Sequence, residues 1–144
     1  MSPRLLHQSI TDRILGEYYK VFNELRFGFR EEIYQRAMVI ALTQVGLTVQ
    51  EQVPMRVWFR GISIGSFAAD IVVERVVLLE IKATKHLETR CEPQALNYLS
   101  ASDLELALIL NFGEKPEFKR LVLTNDRKYR PGPSKNPDKT RVNP

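Results

Sequence analysis

Three charged residues stand where charge is expensive. Val76-Val77-Leu78-Leu79 is apolar at every position, as in a strand covered on both faces, yet it runs straight into Glu80-Ile81-Lys82. Charge on such a strand costs free energy unless it is paired or bound to a metal. Side chains alternate along a strand, so Glu80 and Lys82 share one face while Leu79 and Ile81 share the other. A carboxylate beside an ammonium group on one face is a polar site with an apolar back. Asp70, in the preceding apolar run, supplies a second acid if the register lets it. Opposition of Asp70 and Glu80 centres the pair on Arg75 and requires a three-residue connection, Glu74-Arg75-Val76. A two-residue turn at Glu74-Arg75 would pair Asp70 with Leu79 and turn the acid to the wrong side, because one step of register inverts every side chain. The competing reading is a solvent-facing ladder of Glu80 and Lys82 with Asp70 capping a turn.

A further acid comes from a helix. Glu31 lies on the stripe of Tyr34, Met38, Ala41 and Val45, at steps of three and four, which points it toward the core side. Glu32 falls with Gln35, Arg36 and Thr43, where it can pair with Arg36 one turn on. Gln94 and Tyr98 are spaced i, i+4, so an amide and a phenol share one helical face.

The elements that must position these groups can be read along the chain. Ile10, Ile14, Tyr18, Val21 and Leu25 predict a helix from Ser9 to about Leu25, with Ser9 or Thr11 as its cap. Gly28 interrupts, and a second helix runs from about Arg30 to Val45 and ends at Gly46. Strands are expected over Thr48 to Val53, Met55 to Phe59, Ser66 to Val73 and Val76 to Lys82, with Pro54 and Arg60-Gly61 between them. Glu92-Pro93 starts a helix to about Ser102, and strands follow over Leu106 to Asn111 and Phe118 to Leu123. The order α, α, β, β, β, β, α, β, β defines a mixed α and β fold with no internal repeat.

Composition sets the outer limits. The chain has 144 residues, 44% hydrophobic and 26% charged, the size and balance of one ordinary domain with one core. Its N-terminus lacks the continuous apolar stretch of a signal peptide or membrane span, so the chain reads as soluble and cytoplasmic, with no membrane partner. Cys91 is the single cysteine, and with only His7 and His86 beside it there is no zinc-ligand spacing, so any metal must be held by oxygen. The net charge of +4 is uneven: Lys119 to Pro144 carries eight Lys or Arg against two Asp. Residues 1–123 are therefore read as the folded domain, and 124–144 as a flexible, basic, Pro-rich tail too poor in apolar residues to order itself.

Gly28-Phe-Arg-Glu31-Glu-Ile-Tyr34 reads G-x-x-E-x-x-Y, and this resembles the GxxExxY proteins within the PD-(D/E)XK nuclease superfamily. The likeness runs from about Ser9 to Val122, through GFREEIYQRAM, GLTVQEQVPMRVWFRG, AADIVVERVVLLEIKA, PQALNYL and ILNFG. It implies a central mixed sheet flanked by helices, with Asp70, Glu80 and Lys82 in the catalytic positions. It also implies that Glu31, Asp70, Glu80 and the Ile81 carbonyl hold Mg²⁺ or Mn²⁺, cations that favour oxygen ligands and keep several waters. The cation would activate a water for attack on phosphorus, with Lys82 orienting that water and stabilising the developing charge. Gln94 and Tyr98 are similar to the Q-x-x-x-Y motif of RecB-like exonucleases, which makes them substrate contacts and tilts the substrate toward DNA ends. Two departures stand: Ala69 replaces the proline that commonly precedes the first acid, and one cysteine cannot hold an iron-sulfur cluster. The resemblance thus implies a metal-dependent nuclease. A catalytically silent nucleic-acid-binding or protein-interaction module of the same fold, or a dimeric junction-resolvase-like endonuclease, remains open beside it, as does a homodimer or larger assembly.

Overall fold

A computed structural model describes residues 5–128. Helices α1 (Gln8–Leu25) and α2 (Glu31–Gln44) are followed by strands β1 (Val49–Phe59), β2 (Ile62–Val73) and β3 (Val77–Lys82). Helix α3 (Glu92–Ser100) and strands β4 (Leu106–Phe112) and β5 (Pro116–Val122) complete the fold. The strands form one sheet in the order β1-β2-β3-β4-β5, antiparallel throughout except for the parallel pair β3 and β4. The crossover between those two strands carries α3, as a parallel connection requires. The expected mixed sheet flanked by helices is what the structure shows.

The sheet is covered on both sides. Ile71, Val73, Val77, Leu79, Ile81, Leu106, Leu108, Leu110 and Phe112 pack under α1 and α2, with Ile14, Tyr18, Tyr34, Met38 and Leu42 from the helices. Val72, Leu78, Ala107 and Ile109 pack on the other side beneath Ala95, Tyr98 and Leu99 of α3. Period-two alternation along β3 therefore sends Leu79 and Ile81 to the two-helix face and leaves Glu80 and Lys82 on the α3 face.

Several expected boundaries move for identifiable reasons. The two short strands expected on either side of Pro54 are one strand, β1, because β1 is an edge strand and Pro54 has no second neighbour to which it must donate. Strand β2 starts at Ile62 rather than Ser66, since it pairs with β1 all the way to the turn at Arg60-Gly61. The cap of α1 is neither Ser9 nor Thr11: His7 holds that place in a left-handed conformation (φ 54°) without a side-chain cap, and Thr11 Oγ1 donates to the Gln8 carbonyl. Gly46 ends α2 as expected, at φ 85°, with the Leu47 amide returning to the Leu42 carbonyl.

The break between α1 and α2 is pinned by the second helix itself. Arg26 and Gly28 adopt positive φ of 62° and 133°. The buried Tyr34 hydroxyl accepts the Phe29 amide and donates to the Arg26 carbonyl, while its ring stacks on Phe112 at 4.3 Å. Packing continues past Leu123: Asn125–Arg127 form a 3-10 turn, and Lys128, 7% exposed, donates to the carbonyls of Ser102 and Leu104. The rest of the basic tail lies outside the described residues. No helix of the described residues is long and apolar enough to cross a membrane.

Candidate active site

The hairpin between β2 and β3 decides whether the acids meet. Its ladder pairs Ile71 with Leu79, Val72 with Leu78 and Val73 with Val77, so the continuing register sets Asp70 opposite Glu80. The connection combines both geometries considered for it. Glu74 and Arg75 take left-handed φ of 51° and 60°, and the Val76 amide closes a tight turn onto the Val73 carbonyl. Val76 is then left out of the pairing as a bulge, which restores the three-residue count and keeps the acids on one face.

At Asp70 the sheet splits. Strand β2 goes on with β1, while its pairing with β3 stops at Ile71 and Leu79. In place of the lost ladder, Asp70 Oδ2 accepts the Ile81 amide at 2.8 Å. Opposite Asp70, Gln52 interrupts the β1 ladder with φ 48°, and its side chain lies near enough to lower the Asp70 carboxyl. Gln35 of α2 donates to the Asp70 carbonyl at 3.3 Å and accepts from Gln52 Nε2 at 3.4 Å.

Glu80 is 4% exposed, and its Oε1 has no hydrogen-bond partner among the described residues. Burial first, then the nearby Asp70 charge, push its carboxyl up to about 9. Burial also raises Asp70, against the lowering effects of the Ile81 amide, Lys82 and the Glu80 and Gln52 side chains. Without a cation, burial and mutual repulsion therefore favour a proton on the pair. Lys82 Nζ donates to Gln94 Oε1 at 3.3 Å, and Gln94 Nε2 donates to the Tyr98 hydroxyl at 2.9 Å. Burial raises the Tyr98 phenol, as do the Glu80 and Asp70 charges beside it, and Phe67 of β2 packs on its ring at 4.6 Å.

The fold thus brings together Asp70, Glu80, Lys82, Gln94 and Tyr98 from β2, β3 and α3. Glu31 is different: it is exposed in the first turn of α2, and no group of three or more His, Cys, Asp or Glu among the described residues could hold a metal. Its neighbour Glu32 pairs with Arg30 at 3.1 Å rather than with Arg36. Gln35, expected on the polar face with Glu32, instead reaches the site, and Gln52 was not singled out at all. The i, i+4 spacing from Glu31 to Gln35 was a readable signal. The left-handed turn at Gln52, a residue without glycine's freedom, was not.

Donor chemistry fits a hard divalent cation. An orphaned carboxyl oxygen on Glu80 and a facing acid are oxygen donors for which a metal can replace that proton. Two facing acids, an adjacent lysine and a Gln-Tyr pair thus meet at the split edge of a mixed sheet. A family model of the PD-(D/E)XK nuclease superfamily matches residues 8–121, and the chain belongs to that superfamily, whose members are generally metal-dependent nucleases. No curated protein and no solved structure matches it.

Proposed function

We propose that this chain is a Mg²⁺- or Mn²⁺-dependent phosphodiesterase acting on nucleic acid, with DNA as its substrate and exonuclease character drawn from Gln94 and Tyr98. The observation that carries this reading is the buried Asp70 and Glu80 pair with its unpartnered Glu80 oxygen, beside Lys82. Asp70, Glu80 and the Ile81 carbonyl would hold the cation, with water and a phosphate oxygen completing its shell. The cation would supply a nucleophilic water and charge neutralisation at phosphorus. Asp70 is fixed by the Ile81 amide, which orients its carboxylate. Lys82, steered by Gln94, orients the attacking water and offsets charge on the phosphoryl oxygens. The Tyr98 hydroxyl and the exposed Gln94 amide contact substrate from α3.

A second reading draws on one observation: Glu31 is not gathered with the two strand acids, so the carboxylate set is smaller than the resemblance implies. It makes the chain a silent module of the same fold that binds nucleic acid without cutting it. Incubation with linear, circular, single-stranded and branched DNA, and with RNA, in Mg²⁺ or Mn²⁺ separates the two. Cleavage lost in both Asp70→Ala and Lys82→Ala supports the enzyme. Binding without cleavage in any arm supports the module, and cleavage that survives both substitutions rejects this site.

A further inference from the structure

The loop that joins the two halves of the site is held by a residue that the proposed chemistry does not use. Lys82 ends β3, Gln94 and Tyr98 stand on α3, and residues 83–91 connect them. Strand pairing supports this path only as far as Lys82, which lies opposite Asn111 of β4 in the parallel ladder. Leu110 and Phe112 pack under α1 and α2, so alternation turns the Asn111 side chain to the α3 face, the face that carries Glu80 and Lys82. There Asn111 is 0% exposed.

The Asn111 amide takes over where the ladder ends. Its Oδ1 accepts the Thr84 amide at 3.0 Å, and its Nδ2 donates to the Thr84 carbonyl at 2.9 Å. One side chain thus binds both backbone polar groups of Thr84, as a neighbouring strand would. The Thr84 hydroxyl donates to the His86 carbonyl at 2.7 Å and curls the chain that follows. Gly113 lets this loop lie against the end of β4: a Cβ there would stand 2.5 Å from the carbonyl oxygens of both Thr84 and Lys85, and 2.8 Å from Asn111 Nδ2. From the opposite face, the buried Tyr18 hydroxyl donates to the Asn111 carbonyl and accepts the Glu117 amide at 3.0 Å, which anchors the clamp in the two-helix core.

We infer that Asn111 is a positioning residue of the reaction: it fixes the backbone at Thr84 and thereby aims Lys82, two residues earlier, into the site. The inference rests on the function proposed above. Lys82 is half-buried and meets Gln94 Oε1 at 3.3 Å, and its flexible four-carbon stem places the ammonium only as well as the backbone beneath it is held. Helix α3, by contrast, is docked through Ala95, Tyr98 and Leu99, away from the clamp. Loss of Asn111 therefore disturbs Lys82 more than the substrate contacts on α3, and costs turnover rather than substrate binding.

A double-mutant cycle on the full chain, with Mg²⁺ and the best nucleic-acid substrate, tests this. Asn111→Ala is expected to lower kcat by about tenfold with KM within about twofold of the parent, and to lower kcat no further in the Lys82→Ala background. An unchanged kcat in Asn111→Ala, or an equal loss in both backgrounds, overturns the inference, since a residue that only supports the fold costs both alike. Gly113→Ala displaces the loop with Asn111 in place; it is expected to give the same pattern, and it decides the matter should Asn111→Ala not fold. A second readout needs no cleavage. In the metal-free protein, the NMR signal of the Gln94 side-chain amide is expected to move in Asn111→Ala in the same direction as in Lys82→Ala, because both loosen its bond to the ammonium. A signal that stays in place in Asn111→Ala overturns the inference whether or not the chain cleaves. A chain that cleaves no substrate while the signal moves fails the proposed function and supports the clamp.

Discussion

The two faces of the sheet are built from the same strands and do opposite work. Under α1 and α2, Leu79, Ile81, Leu108 and Phe112 meet only apolar neighbours and two tyrosines whose hydroxyls are tied to backbone. Under α3, the same strands turn Asp70, Glu80 and Lys82 toward a helix only nine residues long that answers with Gln94 and Tyr98. A buried acid with an orphan oxygen is costly, and the fold carries it because the other face supplies ample apolar burial. One face holds the protein together, and the other spends part of that stability on a site.

Substitutions on the two faces should therefore separate activity from stability. The largest effect is expected from Lys82→Ala and Asp70→Asn: cleavage of the best nucleic-acid substrate should fall by about a hundredfold or more with the fold intact, measured by rate assay and circular dichroism. Leu79→Ala, one residue from Glu80 but on the opposite face, should lower stability by about 3 kcal/mol in denaturant titration, since it empties a site that is 0% exposed.

Acidity gives a third contrast. The Glu80 carboxyl rises from 4.5 in the unfolded chain to about 9 in the fold, so across that window the folded protein keeps a proton that the unfolded chain has released. Stability from this group is therefore present at the acid end and lost as pH rises. Without metal, the melting temperature should fall between about pH 5 and pH 9, and Glu80→Gln should flatten that decline while raising stability at the alkaline end. A decline of equal slope in Glu80→Gln would place the titrating group elsewhere.

Smaller effects test the periphery. Tyr34→Phe should cost about 1 to 2 kcal/mol in thermal unfolding, because it removes the hydroxyl that holds the Arg26 carbonyl and the Phe29 amide. Glu31→Ala, exposed and outside any metal-competent group, should change cleavage by less than about threefold, far below the strand acids.

Legibility followed the range of the forces involved. The polar face of β3 was readable because alternation is a local property of a strand, whereas the register stayed open between a two- and a three-residue connection until the Val73 to Val77 pairing decided it. The turn that delivers it was not readable: Glu74 and Arg75 are both left-handed, a conformation for which sequence offers glycine or asparagine as its usual cues. Pro54 looked like a break only because a sequence does not say which strand lies at an edge. Gln35 and Gln52 were missed because their value lies in reaching Asp70 from other elements, and that depends on how α2 and β1 pack around the split in the sheet.

The central claim is that Asp70 and Glu80 form a divalent-cation site in exchange for the proton on the pair. Calorimetric titration of the metal-free protein with Mn²⁺, in buffers of different ionisation enthalpy near neutral pH, measures binding and proton release together. The account predicts a saturable site that releases close to one proton on binding and that disappears in both Asp70→Asn and Glu80→Gln. Binding of undiminished strength in either variant, or binding that releases no proton, would contradict it.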